Sequence, residues 1–157
     1  MLYLLVFCSC FLDAEVIVVD GRSYRLDGLS LGEGKNRPTR IRGNIFYHNF
    51  HGSLGNLPKN VTECKFDKLT NAVYYRKQPD GTNACFNVAD LSTEEIKAKP
   101  NLEGLEFRYT SPSSTGSVTY HLYCHPLSNL IASVDDDFNF VLQWWGSQGC
   151  PLEDFEL

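Results

Sequence analysis

A chain of 157 residues with 43% apolar side chains is one domain's worth, long enough to bury a core without help from a metal. The net charge of −5 comes with no basic stripe; Arg37, Arg40 and Arg42 form the densest cationic group, too small to track a phosphate backbone. Composition therefore speaks against nucleic acid as a partner.

Residues 1–14 are almost wholly apolar, and charge enters at Asp13 and Glu15. The run is too short to span a bilayer and reads as the apolar core of a secretory signal peptide, cut near Ala14, although no basic residue precedes it. The alternative is a buried first strand running on into Val16–Val19. No later segment is long and apolar enough to cross a membrane. Removal of a signal takes away Cys8 and Cys10 and leaves Cys64, Cys85, Cys124 and Cys150. An even number in an oxidising compartment favours two disulfides, and four cysteines allow three pairings. None of the spacings is of the short paired kind that zinc sites use.

Val16–Val19 and Tyr24 onward predict an opening strand with a turn at Asp20-Gly21, followed by a polar loop over residues 31–38. Residues 41–50, Ile-Arg-Gly-Asn-Ile-Phe-Tyr-His-Asn-Phe, are β-prone and aromatic. Asn60-Val61-Thr62 is an N-glycosylation acceptor triplet and belongs on an exposed loop. Residues 72–76 read as a strand, Gln78-Pro79-Asp80-Gly81 as a turn, and residues 85–89 as the returning strand. Residues 91–100 give the single helical signal. Ser92 is placed to cap it, Glu94 and Glu95 suit its positive end, and Pro100 stops it.

Three segments dominate the remainder: Gly104–Tyr109, Val118–Cys124 and Phe138–Trp145, the last running into Gly149-Cys150-Pro151. Each alternates apolar with polar residues and is bounded by turn formers, the signature of half-buried antiparallel strands. An aspartate-rich polar loop joins the second to the third, and residues 153–157 form a loose acidic tail. The whole is an all-β domain over residues 15–152 with one short helix, a two-sheet sandwich or flattened barrel. The small secreted ligand-carrier barrels are a rival fold of similar length, but both tryptophans lie late in the chain.

Gly104-Leu-Glu-Phe-Arg-Tyr109, the strand ending in Cys124, and Phe140-Val-Leu-Gln-Trp144 leading to Gly149-Cys150-Pro151 together resemble the mannose 6-phosphate receptor homology domain. Residues 44–54 resemble a further family strand, with His51 where that strand normally carries a cysteine. The resemblance covers roughly residues 24–151 and implies a flattened antiparallel β-barrel or sandwich acting as a lectin of the secretory and endolysosomal route. It also implies the bridges Cys64–Cys85 and Cys124–Cys150. Two further family bridges have lost both halves, at His51 and at Phe138.

Four side chains hold mannose in the lectin members: a glutamine, an arginine, a glutamate and a tyrosine. Their counterparts here are Phe86, the pair Gly116 and Ser117, the stretch 130–135 with Asp135, Asp136 or Asp137 as stand-ins, and Phe140. Sugar hydroxyls need charged and bidentate partners, so this substitution pattern predicts a cup stripped of its polar lining. The expected function is a non-enzymatic module that binds a protein in the secretory or endolysosomal system, with no cofactor. The alternative is a lectin whose site is rebuilt around Asp135, Asp137, Trp145 and Phe86, and a less favoured one is a secreted hydrolase or small-molecule carrier. Two histidine pairs, His48 with His51 and His121 with His125, are read as surface or hydrogen-bonded rather than metal-binding. The serine contexts lack the spacing of a nucleophile elbow.

Overall fold

The computed structural model describes residues 15–29, 31, 35–100, 104–111 and 116–152. The signal peptide read over residues 1–14, with Cys8 and Cys10, and the acidic tail at 153–157 lie outside the described residues.

Among the described residues the protein is all-β, with eleven strands in three sheets, and no sheet closes into a barrel. A small hairpin pairs β1 (Val16–Val19) with β2 (Arg22–Arg25) through the expected turn at Asp20 and Gly21. Four strands form one antiparallel sheet in chain order: β3 (Arg37–Ile41), β4 (Asn44–His48), β5 (Thr70–Lys77) and β6 (Asn83–Asp90). The other large sheet holds β7 (Glu95–Ala98), β8 (Gly104–Thr110), β9 (Ser117–Cys124), β10 (Asn129–Val134) and β11 (Asn139–Gly146) in the order β10-β11-β9-β8-β7.

The two large sheets pack face to face, because strand alternation sends one apolar set from each toward the other. Phe46, Ala72, Tyr74 and Val88 come from the four-stranded sheet; Leu105, Phe107, Tyr120, Leu122, Phe140, Leu142 and Trp144 come from the other. Phe46 stacks on Phe140 with centroids 4.6 Å apart, and Phe50 meets Phe107 and Tyr120 edge-on. Buried His48 bridges the sheets through Tyr120 Oη at 2.8 Å, and its other ring nitrogen meets Thr39 Oγ1 at 3.1 Å. Burial, aided by the charge of Arg37, pushes its pKa down to about 3, so the ring is neutral. The outer face of the four-stranded sheet is covered too. Tyr47 and Val73 pack there against Leu54 and Val61 of the long β4–β5 connection, which Cys64–Cys85 ties to β6.

Several elements differ from the sequence-based expectation. The helix read at residues 91–100 is a single 3-10 turn, Leu91–Thr93, capped by Asp90, whose carboxylate accepts from the Ser92 N–H at 2.8 Å. The chain then extends as β7, because Ile96 and Ala98 pack inward at a spacing of two and β8 offers an open edge. Pairing and burial outweigh the modest helical preference of Glu and Lys. The polar loop at 31–38 ends early, with Arg37 and Pro38 inside β3; an edge strand tolerates the proline. The β-prone stretch 41–50 holds β4, as expected, but opens on a hairpin corner, since Arg42 and Gly43 both have positive φ (49° and 79°), the turn that matches strand twist.

The aspartate-rich connection hides β10. Its Leu130, Ala132 and Val134 alternate with exposed neighbours, half a strand signal weakened by Asn and Ser. Consequently β9 and β11 run parallel, not antiparallel: β10 forms beyond β11, which folds back between β10 and β9. Gly104 opens β8 where a Cβ would lie 1.7 Å from the Leu122 carbonyl oxygen, at φ +133°.

Both disulfides implied by the resemblance are present, Cys64–Cys85 and Cys124–Cys150. His51, which the resemblance set at a family cysteine position, makes a polar tie. Its Nδ1 meets Glu94 at 2.5 Å and its Nε2 meets Glu15 at 3.2 Å, joining the small hairpin to the segment before β7. Tyr109 Oη donates to the same Glu94 carboxylate at 2.6 Å. The hydrogen bond to Glu94, against a smaller cost of burial, raises the His51 pKa; both carboxylates add to the rise. Burial works to raise the Glu94 pKa, but the bonds from His51 and Tyr109 with the His51 charge outweigh it and hold it low.

Two outcomes follow from these ties. Replacing Cys64 and Cys85 together by alanine opens a closure of 21 residues and should cost roughly 3 kcal/mol in urea denaturation. His51→Gln tests the charged cluster. The His51 contribution is full below its ordinary pKa of 6.5 and lost as pH rises through the raised folded value; that of Glu94 is full above 4.5 and lost as pH falls through the lowered one. The difference in Tm between the protein and His51→Gln is therefore expected to be largest between pH 4.5 and 6.5 and to shrink on either side.

Candidate functional site

The interior between the sheets opens at the end where β4 begins, β5 finishes and β10 turns into β11. Alternation decides what lines that mouth. On β5, Ala72 and Tyr74 point inward and Arg76 continues the same face; on β4, Asn44 precedes inward Phe46 and His48. On β6, Phe86 lies opposite Tyr74 in register. Two hairpin turns add Arg42 from below and residues 135–138 from above.

These side chains form a cleft of about 210 Å³ lined by Arg42, Asn44, Tyr74, Arg76, Val134, Asp135, Asp136 and Phe138. Arg42 Nη1 donates to Asp136 Oδ1 at 3.0 Å; both side chains are largely exposed, so the pair holds weakly. Asn44 Nδ2 donates to Tyr74 Oη at 3.1 Å, which leaves the phenol proton free to donate. The Asn44 side-chain oxygen accepts from the Lys77 N–H. Arg76 lies against Phe86 and Phe138, 5.3 Å from each ring centroid, and its Nε is buried without a hydrogen-bond partner. Among the described residues Arg76 forms no ion pair.

The Asp135 carboxylate is committed to the turn. It accepts from the N–H groups of Asp137 and Asn139 and from Asn139 Nδ2, all at 2.9 Å. The bonds from Asn139, side chain first, hold its pKa below the usual carboxylate range. That turn sets Phe138 at φ +60°, a conformation disfavoured for a bulky side chain, and aims its ring at Arg76 and Phe86.

Positions carried over from the sugar-receptor resemblance divide in two. Phe86 and Gly116 converge on Phe138: the two rings lie 5.5 Å apart, and a Cβ on Gly116 would meet the Phe138 carbonyl oxygen at 2.7 Å. Asp135 reaches the cleft, while Asp137 is exposed beside it and is not among the lining residues. Phe140 is fully buried, stacked on Phe46 and edge-on to Tyr74, and presents nothing to a ligand. Trp145 is not part of this site. It projects outward near the other end of β11, stacked 5.3 Å from Tyr123, six to seven residues or roughly 20 Å along the strand. The stack covers one face of the Trp145 ring.

The cleft also departs from the expected apolar cup. Besides the expected Asp135 and Asp136, its polar lining comes from Arg42, Asn44, Tyr74 and Arg76, none of which the sequence assigned to a site. One signal was available: a charged residue continuing the inward face of a strand, as Arg76 does after Ala72 and Tyr74. Elsewhere, Asn60 is exposed in a turn. The histidines are hydrogen-bonded: His121 contacts Lys99 and Glu106, and His125 accepts from the Leu127 N–H. Among the described residues no three His, Cys, Asp or Glu side chains group to hold a metal, and no helix is long and apolar enough to cross a membrane. No protein-family model matches the chain, and no curated protein matches it.

Proposed function

We propose that this protein is a non-enzymatic binding module of the secretory or endolysosomal route, built on a sandwich of the mannose 6-phosphate receptor homology type, that engages a protein and not mannose. The observation that carries this reading is the state of the positions where the lectin members hold sugar. Phe86 and Phe140 lack hydroxyl-bonding groups, Phe140 is sealed in the core, and Gly116 carries no side chain. A mannose placed there would lose its hydrogen bonds to water without recovering them, at roughly 1.5–3 kcal/mol for each missing charge-assisted partner. The two disulfides are consistent with an oxidising compartment.

One observation favours a second reading, a glycan-binding lectin with a rebuilt site: Arg42, Arg76, Asn44, Asp135 and Asp136 surround one cleft, and arginine, amide and carboxylate are the groups that bond sugar hydroxyls. A glycan array followed by calorimetric titration with methyl α-mannoside separates the two. The protein-binding reading expects no selective signal on the array and no heat at millimolar mannoside. Saturable mannose binding, abolished by Arg76→Met, would replace it with the second reading. Intact mass before and after reduction and deglycosylation should give four cysteines' worth of disulfide and a glycan at Asn60.

A further inference from the structure

Resting on the reading of this domain as a protein-binding module, we propose that the mouth of the sandwich binds the side-chain carboxylate of an acidic peptide segment in the partner, with Arg76 as the anchoring cation. Arg76 is a charge prepared for an anion. Its Nε is buried with no acceptor, its planar group is wedged against Phe86 and Phe138, and no carboxylate of the described residues pairs with it. A cation already partly stripped of water loses less hydration when an anion arrives, and attracts it more strongly, than a freely hydrated one. The rings also fix the guanidinium plane, so little side-chain freedom remains to be lost on binding.

The other cleft groups narrow the ligand. Tyr74 Oη receives the Asn44 amide proton and so has its own proton to give, a second donor beside Arg76. Asp135 is held in place by its own turn, so Asp136 is the carboxylate that can be displaced: it is 97% exposed and, among the described residues, held by Arg42 alone. An incoming carboxylate can thus take Arg76 and Tyr74 and draw on Arg42 by displacing Asp136. About 210 Å³ is smaller than pockets that enclose a whole small molecule, and suits one acidic side chain. The mouth aromatics Phe86 and Phe138 pack on one another and on Arg76. The adjoining β10 is an outer strand that contributes Val134 to the cleft.

The test follows the Arg76 Nε–H signal in ¹⁵N-labelled protein, assigned by its loss in Arg76→Lys. Acetyl-Gly-Glu-Gly-amide should shift the signal saturably, and acetyl-Gly-Gln-Gly-amide should need at least about tenfold higher concentration. Arg76→Met should abolish binding of the glutamyl peptide, followed on the Phe138 and Asn44 amide signals. Asp136→Asn, an exposed change that leaves the fold intact, should tighten it by removing the internal competitor. Equal response to both peptides, or no response, or weaker binding by Asp136→Asn, overturns the carboxylate site and leaves protein binding elsewhere on the surface standing. A shift produced by methyl α-mannoside and by neither peptide overturns the site and the protein-binding reading together.

Discussion

The stacking of Phe46 on Phe140 joins the two large sheets at their centre, one ring from each. Around it lie Tyr74, Phe50, Phe107, Tyr120 and neutral His48, so the interface is fixed by ring geometry more than by aliphatic filling. Aromatic pairs prefer offset or edge-on contacts, and each such contact restricts how far one sheet can slide on the other. Register along every strand then determines which side chains reach the open end of the interior. Arg76 is carried to the mouth because Ala72 and Tyr74 are committed to the core two and one steps earlier on the same face.

The central strands β4 and β5 of the four-stranded sheet are covered on both faces, which explains the run of buried residues along β5. Its outer cover is an irregular stretch with little regular hydrogen bonding of its own. Cys64–Cys85 holds that stretch against Val73 and Tyr47, limiting the freedom it would have when unfolded. At the opposite end of the molecule, Cys124–Cys150 fastens the final turn to the end of β9. Between them, His51 links Glu15 and Glu94 by charge. Such a link responds to pH where a disulfide does not, since it depends on which of its members are ionised.

Phe86 and Phe140 offer no hydroxyl-bonding groups, whereas Arg42 and Arg76 bring guanidinium groups to the cleft. The phenylalanines belong to the packed interior. The arginines stand at its rim, where hydration and anions compete for them. A rim of this composition selects by charge and shape of a single group, whereas a deep sugar cup selects by several hydrogen bonds at once. The strained backbone at Phe138 fits this division, because its ring is held on Arg76 by a turn whose hydrogen bonds all come from Asp135 and its neighbours.

Much of the strand content was legible from the chain alone: a half-buried strand writes its burial as alternation, as in Gly104–Tyr109 and the Val118–Cys124 run, while Ile-Phe-Tyr-His showed through its β-prone residues. The turn at Gln78–Gly81 was legible because proline and glycine act through their own φ preferences, independent of distant contacts. The cysteine pairing followed from resemblance and not from spacing, since all three pairings satisfy spacing. What the chain could not declare was decided by partners far away in sequence. Residues 95–98 became a strand because β8 had an edge to fill, β10 took shape on the outer side of β11, and that made β9 and β11 parallel. The cleft belongs to the same class: Arg42, Arg76 and Asp136 are up to 94 residues apart, and only the packing of two sheets brings their charges within one another's reach. Local sequence fixes backbone preference through sterics, whereas proximity of charges is set by the fold that closes around them.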